Sequence, residues 1–445
     1  MFTVKEIDAT KGRGCIATER IPAGTLIVKA EPAAFVVKSA LRRQICHRCL
    51  RSASSLSQES FQRCARCKVA CYCSRACQAA DWRSGGHQAE CARLVAIAPK
   101  VPTETVFLAS RILTLRETSP DAFAEIEKLC CSPKRAGDID SAQRYMAMSV
   151  MTADFLGPER LRALAGSGEL LVGLLSKLET NAFNICNGDL QPIGIGVYPS
   201  ASLFNHSCRP NACTVFEGTT LCISAVRDIA PGEEIVISYI DLGAPLKRRR
   251  SELQKGFGFV CACERCTAEE KAGGGGGGGS APGCPSGAEL NEQAEERRGK
   301  GDTVRARALW EEACSAYEAR APGDVGMLPV LNGLVGCCVA EEDWAGAARY
   351  CGRSIPLYEK YYGASWPVTG LQYFMMGKLE WRLENAEAAY MWLRKATVNL
   401  SLSHNFGGNT VLRELHELVH QVEVELSFRP PASTNNSKKN QLKLK

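Results

Sequence analysis

Two stretches of this 445-residue chain carry residues whose types and spacing suit chemistry. The first reads Cys46-x2-Cys49, Cys64-x2-Cys67, Cys73-x3-Cys77 and His87-x3-Cys91. Thiolates two residues apart fit one tight turn and can reach a shared metal at about 2.3 Å. The pairs with three intervening residues suit adjacent turns of a helix, where i and i+4 share a face. Eight donors make two tetrahedral sites, and Cys71 is left over because using it would break the pairing. So short a segment, poor in large apolar residues, needs metal to fold. Downstream, Cys261-Ala262-Cys263-Glu264-Arg265-Cys266 offers three more donors and requires a distant fourth.

The second stretch runs Tyr198-Pro-Ser-Ala-Ser-Leu-Phe-Asn205-His206-Ser207-Cys208-Arg-Pro-Asn211, followed by Gly232-Glu233-Glu234-Ile235 and Tyr239. A nucleophile at Ser207 or Cys208 with His206 as base is disfavoured, because no Gly-x-Ser-x-Gly elbow surrounds them.

Composition bounds the setting. The chain has a formal net charge of +6, 45% hydrophobic and 23% charged residues, which excludes a wholly disordered, collagen-like or fibrous protein. Met1 to Cys15 carries Lys5, Glu6, Asp8, Lys11 and Arg13 and no apolar core of a signal peptide. No run is long and apolar enough to span a bilayer; Met327 to Ala340 comes nearest and contains Pro329 and Asn332. Leu444-Lys445 shows no lipidation signal. The 23 cysteines are therefore expected in a reducing compartment, holding metal rather than one another.

The elements that must position these residues follow from pattern. Ile16-Ala-Thr and Thr25-Leu-Ile-Val-Lys flank the turn Ile21-Pro-Ala-Gly and are expected to pair. Short β-rich runs recur from Ile193 to Tyr239, with a Pro231-Gly232 turn. Between them, residues 101–181 have helical spacing. Gly273 to Gly279 is a flexible break. Beyond it the chain turns helical, and Asp302, Asp343 and Asn385 each precede small alanines and an aromatic, suiting stacked helical hairpins of the tetratricopeptide type. Residues 429–445 read as a disordered basic tail.

Taken in order, the motifs resemble the SET-and-MYND (SMYD) family. Asn205-His206-Ser207-Cys208-x-Pro-Asn, then Gly232-Glu233-Glu234-Ile235 with Tyr239, resembles the signature of a SET-domain lysine methyltransferase. Gly12-Arg13-Gly14 and the closing Cys-x-Cys-x2-Cys match the two ends of that domain, and the inserted cluster resembles a MYND zinc finger. The resemblance implies an α+β fold: a β-rich SET domain split by an inserted MYND zinc finger and a helical insert, a post-SET zinc knot and a C-terminal all-α tetratricopeptide-like domain. The implied boundaries are 1–45 and 181–243 for SET, 46–91 for the finger, 92–180 for the insert and 244–270 for the post-SET segment. A linker at 271–286, helices at 287–428 and the tail at 429–445 follow.

Site roles come with the resemblance. It implies S-adenosylmethionine and three structural Zn2+. One zinc would take Cys46, Cys49, Cys73 and Cys77, and another Cys64, Cys67, His87 and Cys91. Cys208 would complete the third with Cys261, Cys263 and Cys266, with Cys213 as the nearest rival. Arg13, Gly14, Cys15, Asn181, Asn205, His206, Tyr239 and Phe259 would hold the cofactor, Cys15 through its backbone only. Tyr239 would orient the amine and transferring methyl, with Phe183 and Tyr198 lining the lysine channel. Glu233 and Glu234 read as structural turn residues.

The expected activity is protein-lysine N-methylation of histone or other proteins. The rival from another class is a non-enzymatic zinc-finger and helical-repeat adaptor or transcriptional co-regulator with an inactive SET domain. From Arg42 to Lys100 eleven basic residues face three acidic ones. That finger is expected to dock proline-rich peptides, with DNA contact as the alternative. The helical region is net acidic and suits basic lysine-bearing peptides such as histone tails. A monomer without membrane association is expected.

Overall fold

The computed structural model describes residues 1–8, 11–56, 60–131, 139–163, 167–271, 286–405 and 409–428. Residues 272–285 of the expected linker and the whole tail, 429–445, lie outside the described residues. The chain divides into two compact units: Met1–Gly279 with Ser365–Val368 and Ser401–Thr410, and Ser280–Ala364 with Thr369–Leu400 and Val411–Lys445.

The fold is α+β. Three small sheets build the β-rich part of the first unit. In one, the order is Phe2–Asp8, Gly12–Ala17, Glu234–Ile237, Asn205–His206, the last pair parallel and the others antiparallel. The second runs Ala212–Glu217, Thr220–Ala225, Leu26–Ala30, all antiparallel. The third runs Ala34–Val37, Pro192–Val197, Ala182–Cys186. Ile21, Phe204, Ala225, Ile229 and Ile235 form the buried centre on which they pack.

One expected pairing is corrected. The strands flanking Ile21-Pro-Ala-Gly do not pair with each other; Gly12–Ala17 joins the first sheet and Leu26–Ala30 the second. Ile21 bridges instead to Ile229, and Gly24 takes a left-handed φ of +83°, so the chain turns from one sheet into the next.

Residues 101–181 are helical as their spacing predicts. Helices Glu104–Thr118, Ile139–Leu156 and Ser167–Asn181 bury Leu108, Phe155 and Leu175, respectively, in a core shared with the cysteine-rich segment. That segment holds the hairpin Gln62–Arg63/Cys71–Tyr72 and helices Arg75–Ser84 and His87–Ala96. Cys73 lies outside the helix that carries Cys77, because Ser74 caps its start; only His87 and Cys91 share a helix as their spacing suggests.

The second unit is all helical where described, from Gly287–Gly299 to Thr410–Phe428. The repeated polar residues are its helix starts. Asp302 and Asp343 accept N–H bonds from Arg305 and Gly346, and Asn385 precedes the helix Ala386–Ser403. The alanines that follow, Ala306, Ala347 and Ala389, are fully buried, which lets neighbouring helices approach closely. No described helix is long and apolar enough to cross a membrane.

Candidate active site and metal clusters

Three donor sets converge: Cys46, Cys49, Cys73 and Cys77; Cys64, Cys67, His87 and Cys91; and Cys208, Cys261, Cys263 and Cys266. Within each, all donor atoms lie within 4.8 Å of one another. Metal–sulfur bonds of about 2.3 Å in a tetrahedron put sulfurs about 3.8 Å apart. Cys49–Cys73 at 3.6 Å, Cys64–Cys91 at 3.8 Å and Cys208–Cys266 at 3.5 Å match that edge, and none is near the ~2.05 Å of a disulfide. The donor chemistry therefore fits zinc three times. Cys71 bonds the Val69 carbonyl instead, and Cys213 is buried in a strand away from all three sets.

An open cleft of about 570 Å³ in the first unit brings together Arg13, Asn181, Phe183, Asn205, Tyr239 and Phe257. Ligand pockets run to roughly 300–1,000 Å³, and the cleft falls within that range. Its floor is a hydrogen-bonded clasp. Asn205 Nδ2 donates to the Arg13 carbonyl at 3.1 Å and to Glu234 at 2.9 Å, and Lys11 pairs with the other Glu234 oxygen at 2.6 Å. A Cβ on Gly14 would sit 2.7 Å from Asn205 Nδ2 and 2.9 Å from Glu234 Oε1, so only glycine permits this approach. Asn211, fully buried, donates to Glu233 and to the Glu234 carbonyl and accepts the Val236 N–H. The two asparagines of the motif thus fasten its loop to the strand that leads to Tyr239.

Tyr239 is held on several sides. Its hydroxyl donates to the Phe204 carbonyl at 2.7 Å, and its ring lies 4.7 Å from Phe257. Burial, then the nearby Glu234 charge, pushes its phenol above the ordinary range, so it stays neutral. On the opposite wall, Asn181 spends both amide hydrogens on the carbonyls of Cys130 and Lys177, leaving Oδ1 for the cleft. Arg13 donates to the Lys128 carbonyl at 3.0 Å.

Five expected site residues stand elsewhere than the cleft wall, Gly14 beneath the Asn205 clasp among them. Tyr198 is fully buried behind Phe183, their rings 5.8 Å apart, with its hydroxyl spent on the Thr219 carbonyl at 2.6 Å. Phe259 packs 6.2 Å from the His206 ring, while Phe257 lines the cleft. Cys15 points into the core toward the Leu203 carbonyl, and burial, then Glu234, pushes its thiol up to about 12. His206 turns its ring away from the cleft, and burial pushes it down to about 4, keeping it neutral.

Other functional candidates were not legible. Lys11 and Phe257 line the cleft, as do Cys130 and Cys131, the exposed thiols among the described cysteines. Phe257-Gly-Phe259 offers two aromatics two residues apart, and spacing alone does not choose between them. Cys130 and Cys131 lie in a loop without any motif.

The SET domain family matches residues 12–240. The histone-lysine N-methyltransferase SMYD3 of Mus musculus is 30% identical over 394 residues, covering 84% of this chain and 86% of that protein. The N-lysine methyltransferase SMYD2 of Sus scrofa is 28% identical over 409 residues, covering 88% and 92%. Among solved structures, Rubisco LSMT bound to sinefungin and monomethyllysine aligns over 96% of this chain and 88% of that one, at 15% identity and a TM-score of 0.31.

Proposed function

The chain belongs to the SMYD family of S-adenosylmethionine-dependent protein-lysine methyltransferases, and from that premise we propose that its open cleft joins cofactor and lysine at Tyr239. The observation that carries this reading is the convergence of Arg13, Asn181, Asn205 and Tyr239 on one cleft with an aromatic wall.

S-adenosylmethionine, when bound, supplies an electrophilic methyl group on a sulfonium. The protein's own work is to deliver a neutral amine to it in line. A free lysine has a pKa of about 10.4, and an apolar channel disfavours its ammonium form. Phe183 and Phe257 furnish such walls and also tolerate a methylated cation face-on. Because the Tyr239 proton is committed to the Phe204 carbonyl, its oxygen presents lone pairs. Those lone pairs accept an amine N–H and fix the direction of the nitrogen lone pair. Orientation of this kind is worth several kcal/mol of barrier, up to about 7–11. No covalent enzyme intermediate is needed.

Arg13, the Gly14 and Cys15 backbone, Asn181, Asn205 and the backbone of His206 would hold the cofactor. Phe259 would support that end through His206. The three cysteine-rich sets would each hold one structural zinc. The proposed boundaries are those of the sequence reading, with residues 46–91 as the finger and 244–270 closing the site. The proposed acceptors are lysines in basic protein segments, histone tails included; the name of the SMYD3 relative and the net acidity of the helical region support that class. Docking of proline-rich partners by the finger, and a cytoplasmic and nuclear distribution, belong to the same proposal.

Tyr239→Phe tests it. Methylation should fall on the order of 10²-fold, the scale of removing one preorganised polar contact. Calorimetric affinity for S-adenosylmethionine should stay within about threefold, as a phenyl ring keeps the packing. Full activity in the variant would sink the role of Tyr239.

A further inference from the structure

We infer that His206 is a positioning residue whose side chain ties the Cys208 metal cluster to Tyr239. The inference rests on the role proposed for Tyr239 and extends it to what holds that residue in place.

His206 is 7% exposed and makes one polar contact with each ring nitrogen. Nδ1 accepts the backbone N–H of Tyr239 at 3.0 Å. A nitrogen that accepts carries no hydrogen, so the proton of the neutral ring sits on Nε2. Nε2 lies 3.3 Å from Cys208 Sγ. The tautomer selected at one end is therefore the one that donates N–H to sulfur at the other. A metal-bound thiolate is a good acceptor for that hydrogen, whereas a free thiol brings its own hydrogen and competes with it.

The rest of the neighbourhood makes the link directional. Tyr239 is anchored by its hydroxyl to the Phe204 carbonyl, by its ring to Phe257 and by its backbone to His206. Two of these anchors lead back to the cluster. His206 reaches Cys208 directly. Phe257 ends the helix Leu246–Phe257, which also carries Arg249. That arginine is 1% exposed, with Nη2 3.7 Å from Cys266 Sγ and 2.7 Å from Glu269, and Nη1 2.7 Å from the Ala244 carbonyl. Zinc with four thiolates carries net negative charge, and His206 and Arg249 direct N–H groups at it from two sides. Losing the metal removes the acceptor for the histidine proton and frees the Tyr239 backbone, although neither residue is a metal ligand.

The test compares His206→Ala with His206→Gln, whose amide can accept from Tyr239 and donate to Cys208. For His206→Ala, kcat on whichever arrayed lysine peptide the wild type methylates should fall about 10–100-fold, the usual effect of losing such support, with KM for the peptide little changed. Release of one zinc to a colorimetric chelator should accelerate by at least about tenfold. His206→Gln should recover most of both losses. Unchanged zinc release in His206→Ala, or a glutamine variant no better than alanine, overturns the link. If Tyr239→Phe is fully active while His206→Ala still sheds zinc faster, the role of Tyr239 fails and the histidine–cluster bond stands. Should the variants not fold, nitrogen-15 spectra of histidine-labelled wild type decide: the Nε2–H tautomer at His206 supports the link, and the Nδ1–H tautomer overturns it.

Discussion

Arg111→Met should loosen the joint between the metal-bearing segment and the SET core. Arg111 is 7% exposed and enters from the helix Glu104–Thr118. Its guanidinium grips the Glu90 carboxylate at 2.8 and 3.1 Å, donates to the Phe35 carbonyl at 2.8 Å and reaches Asp81 Oδ1 at 3.7 Å. Glu90 and Asp81 belong to the two helices that bear metal donors, and they are 2% and 0% exposed. Without the arginine, two buried carboxylates face one another, and only the Tyr72 hydroxyl, at 2.7 Å from Asp81, remains. Stranding a buried charge in this way costs about 3–5 kcal/mol. At roughly 2–4 °C per kcal/mol, the melting temperature should fall by about 6–20 °C. Protonation of Glu90 offers the variant partial relief, since burial already pushes that carboxyl upward and only Arg111 opposes it strongly. A carboxyl raised in the folded state contributes stability below its unfolded pKa and loses it as pH rises. The gap between wild type and variant should therefore narrow in mild acid. Differential scanning calorimetry of the zinc-loaded protein at neutral and mildly acidic pH reads both effects. An unchanged melting temperature, or a gap that widens in acid, would refute the reasoning.

Further outcomes follow from other parts of the structure. Metal analysis should return three zincs per chain. Cys208→Ser should lose one of them, and Cys213→Ser, altered at a strand cysteine outside the three donor sets, should lose none. S-adenosylmethionine should slow alkylation of Cys130 and Cys131 by iodoacetamide, read by peptide mass mapping, because both line the cleft; equal labelling with and without it would argue against the cofactor's placement. Partial burial alone would raise Glu233, but hydrogen bonds from Arg227, the Ala230 N–H and Asn211 outweigh it and hold the carboxyl below its ordinary range. Such a group stabilises above its unfolded pKa and loses that contribution as pH falls. Glu233→Gln should therefore flatten the acid limb of stability against pH, and an unaltered limb would contradict the assignment.

What could be read from sequence and what could not differ for physical reasons. Metal donors announce themselves because coordination demands particular atoms at short range, so Cys46-x2-Cys49 and Cys261-Ala262-Cys263 mark turns before any fold is known. The recurrence of Asp302 and Asp343 before alanines was also legible, and the structure shows its reason: each accepts an N–H three residues on and starts a helix. The strands around Ile21-Pro-Ala-Gly mislead, because pairing is decided by distant partners, Ile229 and Glu234–Ile237 among them. Tyr198 misleads in another way. It sits beside the Asn205 motif in sequence, yet a hydroxyl bonded to the Thr219 carbonyl carries it one layer behind the cleft. The joint at Arg111 gathers residues from Phe35 to Glu90, each unremarkable alone, and no local pattern foretells it.

The most direct test of the central claim is transfer of isotopically labelled methyl from S-adenosylmethionine to a panel of arrayed lysine peptides by the purified, zinc-loaded chain. Label should appear on the lysine side-chain nitrogen of specific peptides with wild type and be nearly abolished with Tyr239→Phe. Label absent from every lysine, or equal in both proteins, would contradict the claim that this cleft aligns a lysine at Tyr239 for methylation.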